Sequence, residues 1–141
     1  MTHYKEDYLV SIPDKKFREI LRRKYGLSFE LNNKIYYGQI KYLRDLEVSN
    51  SQISTLSGIE YFTSLQILSC GGNILTQLDV SKNSELEKLN CPENKLTELD
   101  VSKNDNLQVL VCNSNNINSI NVSQNSKLRS LYCETNIDVQ Y

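Results

Sequence analysis

Four cysteines are the residues of this sequence best suited to chemistry, and they stand at equal intervals. Cys70, Cys91, Cys112 and Cys133 each follow the last by 21 residues. Their contexts are alike: LSCGGN at 68–73, LNCPEN at 89–94, LVCNSN at 110–115 and LYCETN at 131–136. Such a row is a metal site, a redox device, a set of disulfides or a packing column. A zinc site needs ligands that converge on one point, and no C-x2-C pair is present. The only histidine, His3, lies at the N-terminus. A Cys–His or Ser–His dyad would therefore depend on a residue expected to fray. G-x-x-x-x-G-K-[ST] and G-x-G-x-x-G are both missing from the sequence.

The interval is that of a sequence repeat. Aligned on the cysteines, the units are 65–85, 86–106 and 107–127, with a truncated copy at 128–141 and a divergent 22-residue copy at 43–64. Counting from the first Leu of each unit, apolar residues recur at positions 1, 4, 6, 11, 14 and 16. Position 9 is Asn73, Asn94, Asn115 and Asn136. The segment L-x-x-L-x-C places positions 4 and 6 on one face of a short strand and positions 3 and 5 on the other. One such strand cannot bury its own apolar row. Stacked coils bury it against each other and form a parallel sheet, with strands roughly 4.8 Å apart. Asn at position 9 falls where the chain turns out of the strand, and its amide can satisfy turn backbone groups there. Only five residues separate position 16 from the next Leu, too few for a helix of several turns. The outer face is therefore expected to be mostly irregular: extended chain, turns and brief 3₁₀ segments.

This frame decides the cysteines. Position 6 is a core position, and the divergent copy has Val48 there. A residue type that exchanges with Val in a buried column acts as a small hydrophobe. Thiols stacked in register point the same way, which suits S–S geometry poorly. A linear column does not surround a metal. The CGGN segment follows a repeat strand and opens no helix, so it is no phosphate loop. Asp79 and Asp100 recur because the unit recurs. The expectations are a structural cysteine ladder, a structural asparagine ladder, no cofactor, no bound metal and no catalysis.

The chain of 141 residues is one domain in size and carries a net charge of −1. Charge divides unevenly. Residues 1–42 hold nine Lys/Arg and five Asp/Glu, a balance of +4, and residues 43–141 hold seven and twelve, a balance of −5. No apolar run reaches the roughly 18–20 residues that span a membrane. The first residues, MTHYKEDYLVSIPDKKF, contain no apolar signal region. As written the chain is expected in the cytoplasm, and at the cell surface or secreted if a native signal precedes it.

Residues 1–42 read as an N-terminal cap and 43–141 as the repeats. The spacing predicts a cap helix over about 13–25, with Ser11 as N-cap, Pro13 and Asp14 in the first turn and Gly26 as the stop. Phe17, Ile20, Leu21 and Tyr25 share the face that would cover the first coil. Alternation of Leu27, Phe29 and Leu31 predicts a short strand. Lys15, Arg18 and Arg22 form one stripe, with Lys16, Arg23 and Lys24 nearby, which offers a second surface, for phosphate or an anionic membrane.

The pattern L-x-x-L-x-C-x-x-N-x-L resembles the leucine-rich repeat. With I-P-D-x-x-F before the repeats and LSGIEYFTSLQ at 56–66, nearly the whole chain resembles leucine-rich repeat proteins of Bacteroidetes and, more distantly, the internalins. The resemblance implies an α/β solenoid, a right-handed superhelix with a parallel inner sheet. It also implies a module that is extracellular and binds other proteins. Partner contact is expected on the inner face, at Asp45, Glu47, Ile67, Lys88, Asn90, Val109, Val111 and Tyr132. Val109, Val111 and Tyr132 would form an apolar patch at one end, and Asp45 and Glu47 an acidic pair at the other. An intracellular adaptor or immunity-type inhibitor is the alternative, as is a self-associating unit. The last strand, around Leu131–Cys133, is expected to expose a sheet edge through which a homodimer could form. No nucleic-acid partner is expected.

Overall fold

A computed structural model describes residues 7–134 and 136. The N-terminal part holds β1 (Leu9–Ser11), α1 (Lys15–Tyr25), β2 (Lys34–Tyr36) and α2 (Tyr37–Ile40). Five three-residue strands follow: β3 (Asp45–Glu47), β4 (Ile67–Ser69), β5 (Lys88–Asn90), β6 (Val109–Val111) and β7 (Ser130–Tyr132). They form one parallel sheet in the order β3-β4-β5-β6-β7. Leu46, Leu68, Leu89, Leu110 and Leu131 stand in register. The fold is a parallel β-solenoid. Between strands, the outer side consists of turns and one 3₁₀ segment, Ile59–Tyr61.

The core is the stack of inward columns. Leu46, Leu68, Leu89 and Leu110 have no exposed surface, and neither do Val48, Cys70, Cys91 and Cys112. Cys133 is 3% exposed. Leu75, Leu96 and Ile117 complete the coils on the far side.

Two asparagine ladders tie coil to coil. In the first, Asn94 donates through Nδ2 to Cys70 O of the preceding coil at 3.0 Å and to Cys91 O of its own at 3.3 Å. Its Oδ1 accepts the N–H of Leu75 at 3.1 Å. Asn115 repeats this with Cys91 O, Cys112 O and the N–H of Leu96. Asn73 does so with Val48 O, Cys70 O and the N–H groups of Ser51 and Ile53. Asn136 does so with Cys112 O, Cys133 O and the N–H of Ile117. The second ladder runs down the other side of the coils at Asn83, Asn104 and Asn125. Asn104 donates to Val80 O and Asn83 O, both at 3.0 Å, and Asn125 to Val101 O and Asn104 O. In the first ladder the amide bonds carbonyls that leave the strands at the turn; in the second it adds a bond to carbonyls that already accept a turn N–H, as Val80 O does from Asn83 and Asn83 O from Leu86.

The N-terminal part departs from the sequence expectation in three places. The helix cap is Asp14, whose Oδ1 accepts the N–H of Phe17 at 2.9 Å, whereas Ser11 lies in β1. Pro13 and Asp14 precede the helix, which starts at Lys15. Asp14 wins because its second oxygen also accepts from the first coil: the Ser54 N–H at 3.0 Å, the Ser54 hydroxyl at 2.9 Å and the Thr55 N–H at 3.2 Å. Leu27, Phe29 and Leu31 make no strand. The strand lies at Lys34–Tyr36, antiparallel to β1, because Val10 and Ile35 are the apolar pair that can turn inward together. Leu31 is 87% exposed. Arg18 is not part of a solvated stripe. It is buried, and its guanidinium donates to Ile12 O at 2.8 Å and Pro13 O at 2.7 Å. Gly26 ends the helix in the left-handed region, with its N–H on Arg22 O.

Candidate interaction surface

In each three-residue strand the middle residue faces the core and the outer two face the other side of the sheet, where Ser69 alone is buried. Two solvent-side columns result. The first is Asp45, Ile67, Lys88, Val109 and Ser130, and the second Glu47, Ser69, Asn90, Val111 and Tyr132, each in register from strand to strand. The structure thus places all eight sequence-named contact residues on one sheet face. Asp45 and Lys88 are exposed. Glu47, Ile67, Asn90, Val109 and Val111 are half-buried. Tyr132 is 50% exposed, directly beside Val111. Val109, Val111 and Tyr132 are therefore contiguous across two adjacent strands. The acidic pair lies three strands away.

The cap helix closes the β3 edge of this sheet. Residues of β3 alternate in the side to which their backbone bonds point, and Glu47 points away from β4. Its N–H is accepted by the Tyr25 hydroxyl at 2.6 Å, and its carbonyl accepts from Lys24 Nζ at 3.2 Å. The sequence showed Tyr25 as an apolar face residue only. Arg22 lies over the Phe29 ring at 4.8 Å, and Lys16 pairs with Glu19 at 3.7 Å. With Arg18 buried as well, much of the basic stripe is engaged within the cap.

The thiols lie behind the sheet, away from solvent. Burial pushes Cys70 and Cys112 up to about 12 and Cys91 well above the ordinary thiol value. None of these three is a thiolate near neutral pH, and the thiolate is the reactive and metal-binding form. The four are unpaired by disulfides. Among the described residues no cluster of three or more His, Cys, Asp and Glu is arranged to hold a metal. Asp79 and Asp100 each accept the hydroxyl and backbone N–H of the Ser two residues on, Ser81 and Ser102, which lowers their pKa. They serve turns. His3 lies outside the described residues.

Sequence reasoning missed the second asparagine ladder. The signal was present: Asn83, Asn104 and Asn125 also recur every 21 residues. It was hidden because Asn in a D-V-S-K-N segment reads equally as a generic turn residue.

No family model matches the sequence, and no curated protein does. Solved structures do. The functional domain of InlJ from Listeria monocytogenes, described as including a cysteine ladder, matches at 34% identity with a TM-score of 0.85, over 95% of this chain and 30% of that one. This chain is an internalin-like leucine-rich repeat protein. A leucine-rich repeat protein of Leptospira interrogans matches this internalin-like chain at 27% identity and a TM-score of 0.67, over 70% of this chain and 27% of that one. The internalin InlF of Listeria monocytogenes shares its fold, at 21% identity and a TM-score of 0.72, over 91% of this chain and 44% of that one. The internalin-like chain thus spans less than half the length of each. No helix among its described residues is long and apolar enough to cross a membrane.

Proposed function

We propose that this protein is a non-enzymatic interaction module that binds a protein partner on the concave sheet face. Residues 1–42 serve as the cap and 43–141 as the binding repeats. The observation that carries this reading is the contiguity of Val109, Val111 and Tyr132 on the solvent side of β6 and β7. A half-exposed aromatic ring beside two valines, rimmed by polar residues, has the composition of an interface anchor. Solenoid neighbours from bacteria support a protein partner as the class. The asparagine and cysteine ladders hold the face rigid, so little ordering entropy opposes association.

The test compares variants in affinity capture from the source organism. Val111→Asp and Tyr132→Ala, shown by circular dichroism to be folded, should lose a partner that wild type and the outer-face variant Glu98→Lys retain. Retention by both sheet variants and loss by Glu98→Lys would place the site on the outer face.

A further inference from the structure

We propose that the sheet face selects an extended segment of its partner that carries an apolar side chain, seated on Val109, Val111 and Tyr132, and one Lys or Arg about four residues away, over Asp45. This rests on the concave-face reading above and adds the partner's chemistry and spacing.

The charge order along the sheet supports it. Positions 3, 5 and 7 of the five units carry three acids (Asp45, Glu47, Glu134) and one base (Lys88), a net charge of −2. Asp45 is exposed, and its carboxylate makes no ion pair among the described residues. Glu47 is less available. Its Oε1 holds the Ser49 N–H at 2.7 Å, and the Lys24 ammonium on its carbonyl offsets part of the charge. Asp45 is therefore the anionic pole. Read from β6 to β3, the first column runs apolar, cationic, apolar, anionic: Val109, Lys88, Ile67, Asp45. Its complement is an apolar anchor, a neutral or acidic residue next to it, and a base at the far end.

Geometry supplies the spacing. From β6 to β3 there are three strand steps, about 14 Å in all at 4.8 Å per step. A chain laid across the strands in extended form advances about 3.3 Å per residue, so about four residues separate anchor and base. Complementary charges of this kind set register and orientation more than raw affinity.

The test uses the 141-residue chain and fluorescein-labelled synthetic peptides in which one Trp and one Arg are separated by one to eight residues of Gly and Ser, read by fluorescence polarisation. Tightest binding is expected with three intervening residues, which puts the Arg four positions from the Trp. Exchange of the peptide Arg for Glu should weaken binding about two- to fivefold, the range of an exposed ion pair. Asp45→Lys should weaken the Arg peptide and restore the Glu peptide, and added salt should flatten both differences. If binding falls in Tyr132→Ala but ignores spacing and peptide charge, the inference is wrong and the concave-face reading stands. If binding ignores both Tyr132→Ala and Asp45→Lys, both readings fail. Failure of every peptide to bind overturns the inference.

Discussion

The Tyr25 hydroxyl accepts the backbone N–H of Glu47 at 2.6 Å. A helix side chain here does what a neighbouring strand would do, and with Lys24 it closes the first edge of the parallel sheet. An open strand edge is a template for pairing with other chains. Helix α1 therefore occupies this edge and also packs Phe17, Ile20 and Leu21 into the core.

Tyr25→Phe keeps the ring and removes the acceptor. It should cost about 1 kcal/mol through the unsatisfied N–H of Glu47, lowering the Tm by about 3 °C. Thermal unfolding followed by circular dichroism checks this. An unchanged Tm would mean that water replaces the hydroxyl without loss.

Asp14 joins cap to repeats through one carboxylate, with Phe17 on one oxygen and Ser54 and Thr55 on the other. Asp14→Ala should destabilise by about 2–4 kcal/mol, combining a lost helix cap with lost tethers. Burial raises the Asp14 pKa, but the hydrogen bonds from Phe17, Ser54 and Thr55 outweigh it, and the pKa falls below the usual 3.8. The sign follows: the contribution is full above the unfolded value and is lost as pH drops through the lower, folded one. Urea unfolding from pH 6 down to pH 2 should show a steeper loss in wild type than in Asp14→Asn.

The repeats were legible because period-two alternation and a 21-residue interval repeat several times over, so strand, core column and outward column all follow from register. The cap was legible only in part. Asp14 and Ser11 look equally good as helix caps in sequence, and the choice falls to Ser54 and Thr55, 40 and 41 residues away. Arg18 looked solvated because its partners are the carbonyls of Ile12 and Pro13, which carry no side-chain signature. On the sheet face, the sequence supplied the columns and their alternation. That Tyr132 stands beside Val111 needed only the register. The closure by Tyr25 and Lys24 needed tertiary structure.

Asn104 has no exposed surface, and its amide donates to two carbonyls in the preceding coil. Asn104→Ala should cost about 1–2 kcal/mol, since it removes two buried hydrogen bonds while Val80 O and Asn83 O keep the N–H groups of Asn83 and Leu86. Asn106→Ala, which removes an exposed bond to Ser84 O, should stay within about 0.5 kcal/mol. Chemical denaturation of the two variants separates a structural ladder from generic turn propensity.

The thiol column should be inert in the native state. Native protein at pH 8 is expected to react negligibly with a thiol reagent, and denatured protein to show four thiols. Cys91→Ala should cost about 1–2 kcal/mol in lost packing. With Cys70 and Cys112 held at about 12 against an ordinary 9.0, folded protein stays protonated where the unfolded chain ionises. Stability is therefore full below pH 9 and declines between pH 9 and about 12. Cys70→Ala should make that decline shallower.

The most direct measurement on the concave-face account is hydroxyl-radical footprinting of the chain with and without its captured partner. Tyr132 is 50% exposed on the sheet face and Tyr42 is 71% exposed on the cap, so both oxidise readily in the free protein. The account expects the partner to shield Tyr132 while Tyr42 and the outer-face residue Leu78 keep their free rates. Shielding of Tyr42 or Leu78 with Tyr132 oxidised at its free rate would contradict it.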